Sequence, residues 1–235
     1  MRSKKWHRLT VSLVVAALAT FGVVASGDES RSASSSASSM GVVKCANLVY
    51  ARVKTSVCFS AAFLKDIEEQ ANIRTQHRFS KVRLDSTDLY EHPFAVMTGE
   101  GPFSLTSSER KNLRNYLLSG GFLVASAGCS SKPWNESVRR ELALMFPEIQ
   151  TKKLTAEHPV FHTVYDITTS KYKSGASKLP VLEGIEIDGK IVLIWSPDGL
   201  NDTKTLGSKC CCCGGNEVKN AKRINVNLLA YALTH

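Results

Sequence analysis

Residues 94–128, FAVMTGEGPFSLTSSERKNLRNYLLSGGFLVASAG, constrain the fold more than any other stretch. Two short apolar runs, FAVMTG and FLVASAG, bracket a segment with helical signals at both ends. It opens on the capping pattern Thr106-Ser107-Ser108-Glu109 and stops at Gly120-Gly121. Continuous apolar runs are what strands buried on both faces look like, and parallel strands need a crossover such as a helix between them. The stretch therefore predicts a strand–helix–strand unit in a parallel sheet.

The flanking sequence extends the pattern. NLVYARV (47–53) reads as a strand, and FSAAFLKDIEEQAN (59–72) as a helix with Phe59, Phe63 and Ile67 on one face and Ser60 as N-cap. Pro133 suits the first turn of a helix over PWNESVRRELALMF (133–146). EGIEIDGKIVLIWS (183–196) alternates about Asp188-Gly189, a hairpin signal. EVKNAKRINVNLLAYALTH closes the chain as a helix with a dense apolar face. Strands alternating with helices predict a three-layer α/β/α sandwich, mostly parallel, with an added antiparallel hairpin.

The domain so defined spans 41–235. Before it, basic MRSKKWHR precedes the apolar run LTVSLVVAALATFGVVA, in the order of a bacterial export signal (1–25) with Val23 and Ala25 fitting a cut after Ala25. The run is at the lower limit for spanning a bilayer, so an uncleaved anchor is the alternative, and it is the only predicted route to a membrane. Residues 26–40, SGDESRSASSSASSM, read as a flexible linker. Four of the 30 basic residues lie in the signal, leaving 26 against 21 acidic ones, a net +5. The densest cluster, KNAKR (219–223), falls on a predicted helix as a solvated face, which argues against nucleic acid as a partner. The expected location is periplasmic or extracellular, and the expected partner a small molecule or a protein of the cell envelope.

In parallel sheets, sites form where strands end and loops lead into helices. Three such loops carry candidates: KTSVCFS with Cys58, EGPFSLT with Glu100, and CSSKPW with Cys129, Ser130, Ser131 and Lys132. Cys129 is the sharpest, because strand, small-residue turn, nucleophile and helix in that order expose a side chain beside backbone N–H groups. His158 and His162 stand four apart in EHPVFHTVYD, a metal-pair spacing if helical, although Pro159 opposes a regular helix. Cys210, Cys211, Cys212 and Cys213 are contiguous and precede Gly214 and Gly215, which allow a backbone to approach a ligand closely. Alternation along an extended chain would pair Cys210 with Cys212 or Cys211 with Cys213. Asp198, Asn201 and Asp202 in WSPDGLND either turn the chain or line a pocket.

These residues leave three readings open. One is a binding or assembly module stapled by disulfides, with Glu100, Ser130, Lys132, His162, Asp198, Gly214 and Gly215 as ligand contacts. Another is a metal site, zinc being the natural ion, or a thiol-redox site, built from Cys58, Cys129 and Cys210–Cys213. The third is a hydrolase or transferase with Cys129 as nucleophile and His158 as base. The count of seven cysteines is odd, so at least one thiol is unpaired within a monomer.

Several blocks occur together and in order: FAVMTGEGPFSLTSSERKNLRNYLLSGGFLVASAGCSSKPW, HPVFHTVYD, LEGIEIDGKIVLIWSPDGLND and CCCCGGNE…NVNLLAYALTH. From about Cys45 onward the chain thereby resembles the bacterial domain-of-unknown-function family 4159. The resemblance implies a flavodoxin-like sandwich similar to class I glutamine amidotransferases, and an exported or membrane-associated setting. It implies no activity. Cys129 matches the amidotransferase elbow position and His158 is the downstream histidine, but the G-x-C-x-G signature and a C-terminal H-x-E pair are missing.

Overall fold

A computed structural model describes residues 41–52, 59–202 and 215–235. The predicted signal and linker, Cys58, Cys210–Cys213 and Gly214 lie outside the described residues.

A seven-stranded sheet forms the middle layer. Its strands in chain order are β1 (Val43–Val49), β2 (Thr75–Arg83), β3 (Phe94–Gly99), β4 (Phe122–Ala127), β5 (Lys152–Lys153), β8 (Glu183–Ile187) and β9 (Lys190–Ser196). In space the order is β2-β1-β3-β4-β9-β8-β5. β2, β1, β3, β4 and β9 are parallel, and β8 and β5 add antiparallel pairs at one side. A separate hairpin pairs β6 (Ser170–Lys171) with β7 (Ser177–Lys178). All residues of β3 and β4 are buried, which is why both read as unbroken apolar runs.

Helices cover both faces. α1 (Phe63–Ala71) and α4 (Ala221–Thr234) contribute Phe63, Ile67, Ile224 and Leu228 to one core. α2 (Ser107–Leu118) and α3 (Lys132–Met145) contribute Leu113, Leu117, Trp134 and Val138 to the other. The three-layer sandwich is thus the observed architecture. Thr106 and Glu109 make the reciprocal capping box expected at α2. Asp188 and Gly189 both have positive φ (50° and 77°), as the tight two-residue turn between β8 and β9 requires.

Three local readings shift. β1 begins earlier than expected and releases Tyr50, because Val43 already pairs with Thr75 of β2. β2 itself has no sequence counterpart among the predicted strands. It is an edge strand, so most of its residues are exposed and polar. α1 starts at Phe63 with Ala62 as N-cap; the Ser60 hydroxyl instead accepts the Ala62 N–H at 3.1 Å in the turn before it.

Candidate functional site

The parallel strands end together, and their carboxyl ends carry the most densely bonded polar groups. β4 runs out through Gly128 into Cys129 and Ser130, both with φ of 52°. Left-handed backbone at two successive non-glycine residues is disfavoured by Cβ contacts and persists only where the surroundings fix it. Gly128 is needed there: a Cβ would stand 2.6 Å from Glu100 Cγ and 3.0 Å from the Gly99 carbonyl at the end of β3. Ser131 then caps α3, accepting the Trp134 N–H, while its own hydroxyl donates to the Glu100 carbonyl. Tyr50 ties the frame together, donating to the Thr98 carbonyl at 2.9 Å and accepting from Trp134 Nε1 at 2.7 Å. β1, β3 and α3 are thereby locked at one edge.

The fixing element behind Cys129 is Glu217. Its Oε1 accepts the Cys129 N–H at 2.9 Å and the Asn201 side-chain amide at 2.7 Å. Asn201 is fully buried, and both polar atoms of its side chain are hydrogen-bonded. Its Nδ2 also donates to the Ala127 carbonyl at 3.0 Å, and its Oδ1 accepts from Ser126 Oγ at 3.0 Å. Ser126 accepts in turn from the Leu200 N–H at 2.8 Å. Gly215 presses on the same turn, so closely that a Cβ would lie 2.1 Å from the Cys129 carbonyl carbon. Gly199 is equally constrained, with φ of 96° and a would-be Cβ 2.3 Å from the Ala127 carbonyl.

The β6–β7 hairpin backs this segment. Tyr172 bridges to Val218, Lys173 N–H donates to the Glu217 carbonyl at 3.0 Å, and Lys219 N–H to the Lys171 carbonyl at 2.8 Å. The fully buried Tyr172 hydroxyl and the buried Asp198 Oδ2 have no hydrogen-bond partner at bonding distance, yet lie close enough for the carboxylate to act on the phenol. Burial first, and the Asp198 charge second, push the Tyr172 phenol well above its ordinary value. Asp198 also anchors Ser130, whose hydroxyl donates to the Asp198 carbonyl at 2.7 Å.

The sequence candidates therefore divide. Cys129, Ser130, Glu100, Asp198 and Gly215 come together at the carboxyl edge. Lys132 points to solvent, its side chain 87 % exposed and 3.8 Å from Glu136. His158 lies elsewhere: its ring is 5.5 Å from Tyr231, which is 6.1 Å from Phe122, the first residue of β4. Cys129 lies two residues beyond Ala127, the last residue of that strand. At about 3.3 Å per residue Phe122 and Cys129 are roughly 20 Å apart. His158, expected as base for Cys129, is thus not placed beside it; the loops carrying them leave opposite edges of the sheet.

His158 and His162 do not form a metal pair either. Pro159–Phe161 is a single short 3₁₀ turn, with His158 Nδ1 accepting the Val160 N–H at 3.2 Å as its cap. Both ring nitrogens of His162 are engaged, with the Ala156 carbonyl and Asp166 Oδ1, each at 2.6 Å. Those two acceptors, the carbonyl foremost, raise the His162 pKa above the ordinary imidazole value, while burial lowers that of His158. Among the described residues, no three His, Cys, Asp or Glu side chains converge on a metal position. Cys45 and Cys129 both carry free thiols. Cys45 sits in the core of β1, where burial pushes its thiol up to about 12, outside the reach of ordinary thiol chemistry.

Glu217 and Tyr172 were not among the sequence candidates. The only trace of Glu217 is its place two residues after the glycines that follow the cysteine run. Asn201, a turn or pocket residue on sequence grounds, is the centre of the buried network.

The family model described as "Domain of unknown function (DUF4159)" matches residues 46–233. No curated protein matches the chain. The chain belongs to the DUF4159 family.

Proposed function

We propose that this DUF4159 domain is an exported binding module that holds a small molecule or a cell-envelope protein at the carboxyl edge of its sheet, with the Cys129 thiol at the centre of the site. One observation carries the reading. A free thiol stands on a left-handed turn that a buried carboxylate, a buried amide and two closely apposed glycines hold in place. Strained backbone that is over-determined by its surroundings concentrates at functional positions, and strand ends of parallel sheets are where ligands dock. Export rests on the charged and apolar segments of residues 1–25.

A thiol-redox or thiolate-metal role is the second reading. The free Cys129 thiol favours it, together with the four cysteines that end two residues before Gly215 in sequence. A single experiment separates the two. The full chain is exported with its own leader in a bacterial host, and the mature protein is assayed for metal content and for the thiols that react with iodoacetamide. Labelling at Cys129 but not Cys45, without bound metal, supports the binding module. Stoichiometric metal or reversible oxidation of Cys129 supports the second reading. A native Cys129 that resists labelling as Cys45 does would refute both.

A further inference from the structure

Glu217 is 8 % exposed, and no lysine, arginine or histidine among the described residues forms an ion pair with it. A buried carboxylate without a counter-charge is expensive, and a neutral acceptor would hold the Cys129 turn at lower cost. What the carboxylate does have is a matched pair of donors. The Cys129 N–H and the Asn201 amide converge on one oxygen at 2.9 and 2.7 Å, the second at the short end for an N–H donor. The amide is itself preset, because Ser126 and the Ala127 carbonyl fix which way it faces. A backbone N–H and an oriented side-chain N–H aimed at one point beside a thiol make a position for an anionic oxygen.

The group filling that position is carried by residues 215–219, which belong to no strand of the main sheet. Among the described residues they are held by the two hydrogen bonds of the Tyr172–Val218 bridge, to Lys171 and Lys173, by one each with Ser174 and Gly199, by the two that Glu217 Oε1 accepts and by the Gly215 contact.

We propose that the Cys129 N–H and the Asn201 amide form a carboxylate-recognition position beside the Cys129 thiol, which Glu217 fills as an internal stand-in until a carboxylate-bearing small molecule displaces it. The proposal rests on the reading of the carboxyl edge as the binding edge. It adds the chemical class of the ligand and names Glu217 as the residue that competes with it. No bond to sulfur is required; the ligand exchanges one carboxylate for another on the same two donors.

Two probes that differ only in charge test it: iodoacetate, which bears a carboxylate, and the neutral iodoacetamide. Both are reacted with the full chain and followed at the Cys129 peptide by mass spectrometry, in wild type, Glu217→Gln and Glu217→Ala. Glu217→Gln removes the charge but keeps an oxygen that can accept both N–H groups, so its rise in the iodoacetate-to-iodoacetamide ratio, about fivefold for one charge removed from a partly wet site, measures electrostatics alone. Glu217→Ala also frees the two donors, and the proposal expects its ratio to exceed that of Glu217→Gln by a further factor of about five. In Glu217→Ala, acetate at increasing concentration should raise the melting temperature saturably and slow iodoacetate labelling, while chloride at equal ionic strength does neither. A ratio in Glu217→Ala no higher than in Glu217→Gln, or acetate no better than chloride in Glu217→Ala, overturns the carboxylate position and leaves the Cys129 site standing. If Glu217→Ala does not fold, saturable slowing of iodoacetate labelling by acetate but not by chloride in Glu217→Gln decides instead. A Cys129 inert to both reagents in every variant overturns the inference together with the reading beneath it.

Discussion

Asn201→Asp is the substitution that interrogates the site most directly. It changes one buried atom, replacing the donor that stands 2.7 Å from Glu217 Oε1 and 3.0 Å from the Ala127 carbonyl with a third acceptor. Two hydrogen bonds vanish and two carboxylates face one another in a fully buried position. At about 3.5 Å and an effective dielectric near 20, their repulsion would be roughly 5 kcal/mol if both stayed charged. The folded variant avoids this by binding one proton between them, which raises the apparent pKa of the pair above that of free carboxyls. A carboxyl whose folded pKa is raised destabilises the fold above its unfolded value, and the penalty disappears below it. Between those limits the folded variant binds one more proton than its unfolded chain. The deficit against wild type should therefore grow by about 1.4 kcal/mol per pH unit from near pH 4.5 upward. It should reach about 3–4 kcal/mol near pH 7. Urea unfolding followed by the fluorescence of the buried Trp134 and Trp195, at pH 5, 6, 7 and 8, measures it. Asn201→Leu loses the same hydrogen bonds without adding charge, so its deficit should not vary with pH. If Asn201→Asp shows a deficit independent of pH, or one below 1 kcal/mol at pH 7, Asn201 and Glu217 are not in contact and the site described here is wrong.

Other perturbations have separate readouts. Gly215→Ala places a Cβ 2.1 Å from backbone at Cys129, so the turn must shift; a loss of about 1–3 kcal/mol and an altered Cys129 labelling rate are expected. Gly101→Ala, with open space around it, should be neutral in the same assays. His162 should titrate above the ordinary imidazole value by NMR. Since its folded pKa is raised, the stabilisation it brings is complete below the unfolded imidazole value and fades as pH rises through the folded one. Asp166→Asn should lower the midpoint only in part, because the Ala156 carbonyl is the larger cause. Asn227→Ala removes bonds to Val164 N–H, Tyr165 N–H and the carbonyls of Val160 and Tyr165. That should cost about 3–5 kcal/mol and speed amide exchange over 160–165, with Cys129 labelling unaffected at the far edge.

The parts of the fold legible in the sequence are those whose environment is uniform. β3 and β4 are buried on both faces, so every residue is apolar or small and the pattern is unmistakable. The capping box at Thr106 and the Asp188-Gly189 turn are local chemistry, complete within a few residues. β2 failed to register because an edge strand answers to two environments: Val82 is core, while Gln76, His77, Arg78 and Lys81 face water. Its one strand partner among the described residues is β1, and nothing in TQHRFSKVR reports that pairing.

The site shows the same division at longer range. Parallel strands all leave the sheet on one side, so knowing that β3, β4 and β9 are parallel is enough to bring Glu100, Cys129 and Asp198 to a common edge. No such rule placed His158, because a loop that returns across the sheet can end at either edge, and here it ends beside Tyr231 at the start of β4. Glu217 was out of reach for a related reason. It meets Cys129 across 88 positions of sequence, and its role depends on which N–H groups are left unclaimed once β4 and β9 are in register. The Cys129 N–H is unclaimed because the chain turns left-handed there and leaves the ladder. The carboxylate then supplies what the sheet cannot, which makes the charge at position 217 a consequence of the strained turn at 129 and ties the chemistry of the edge to the geometry of one strand's exit.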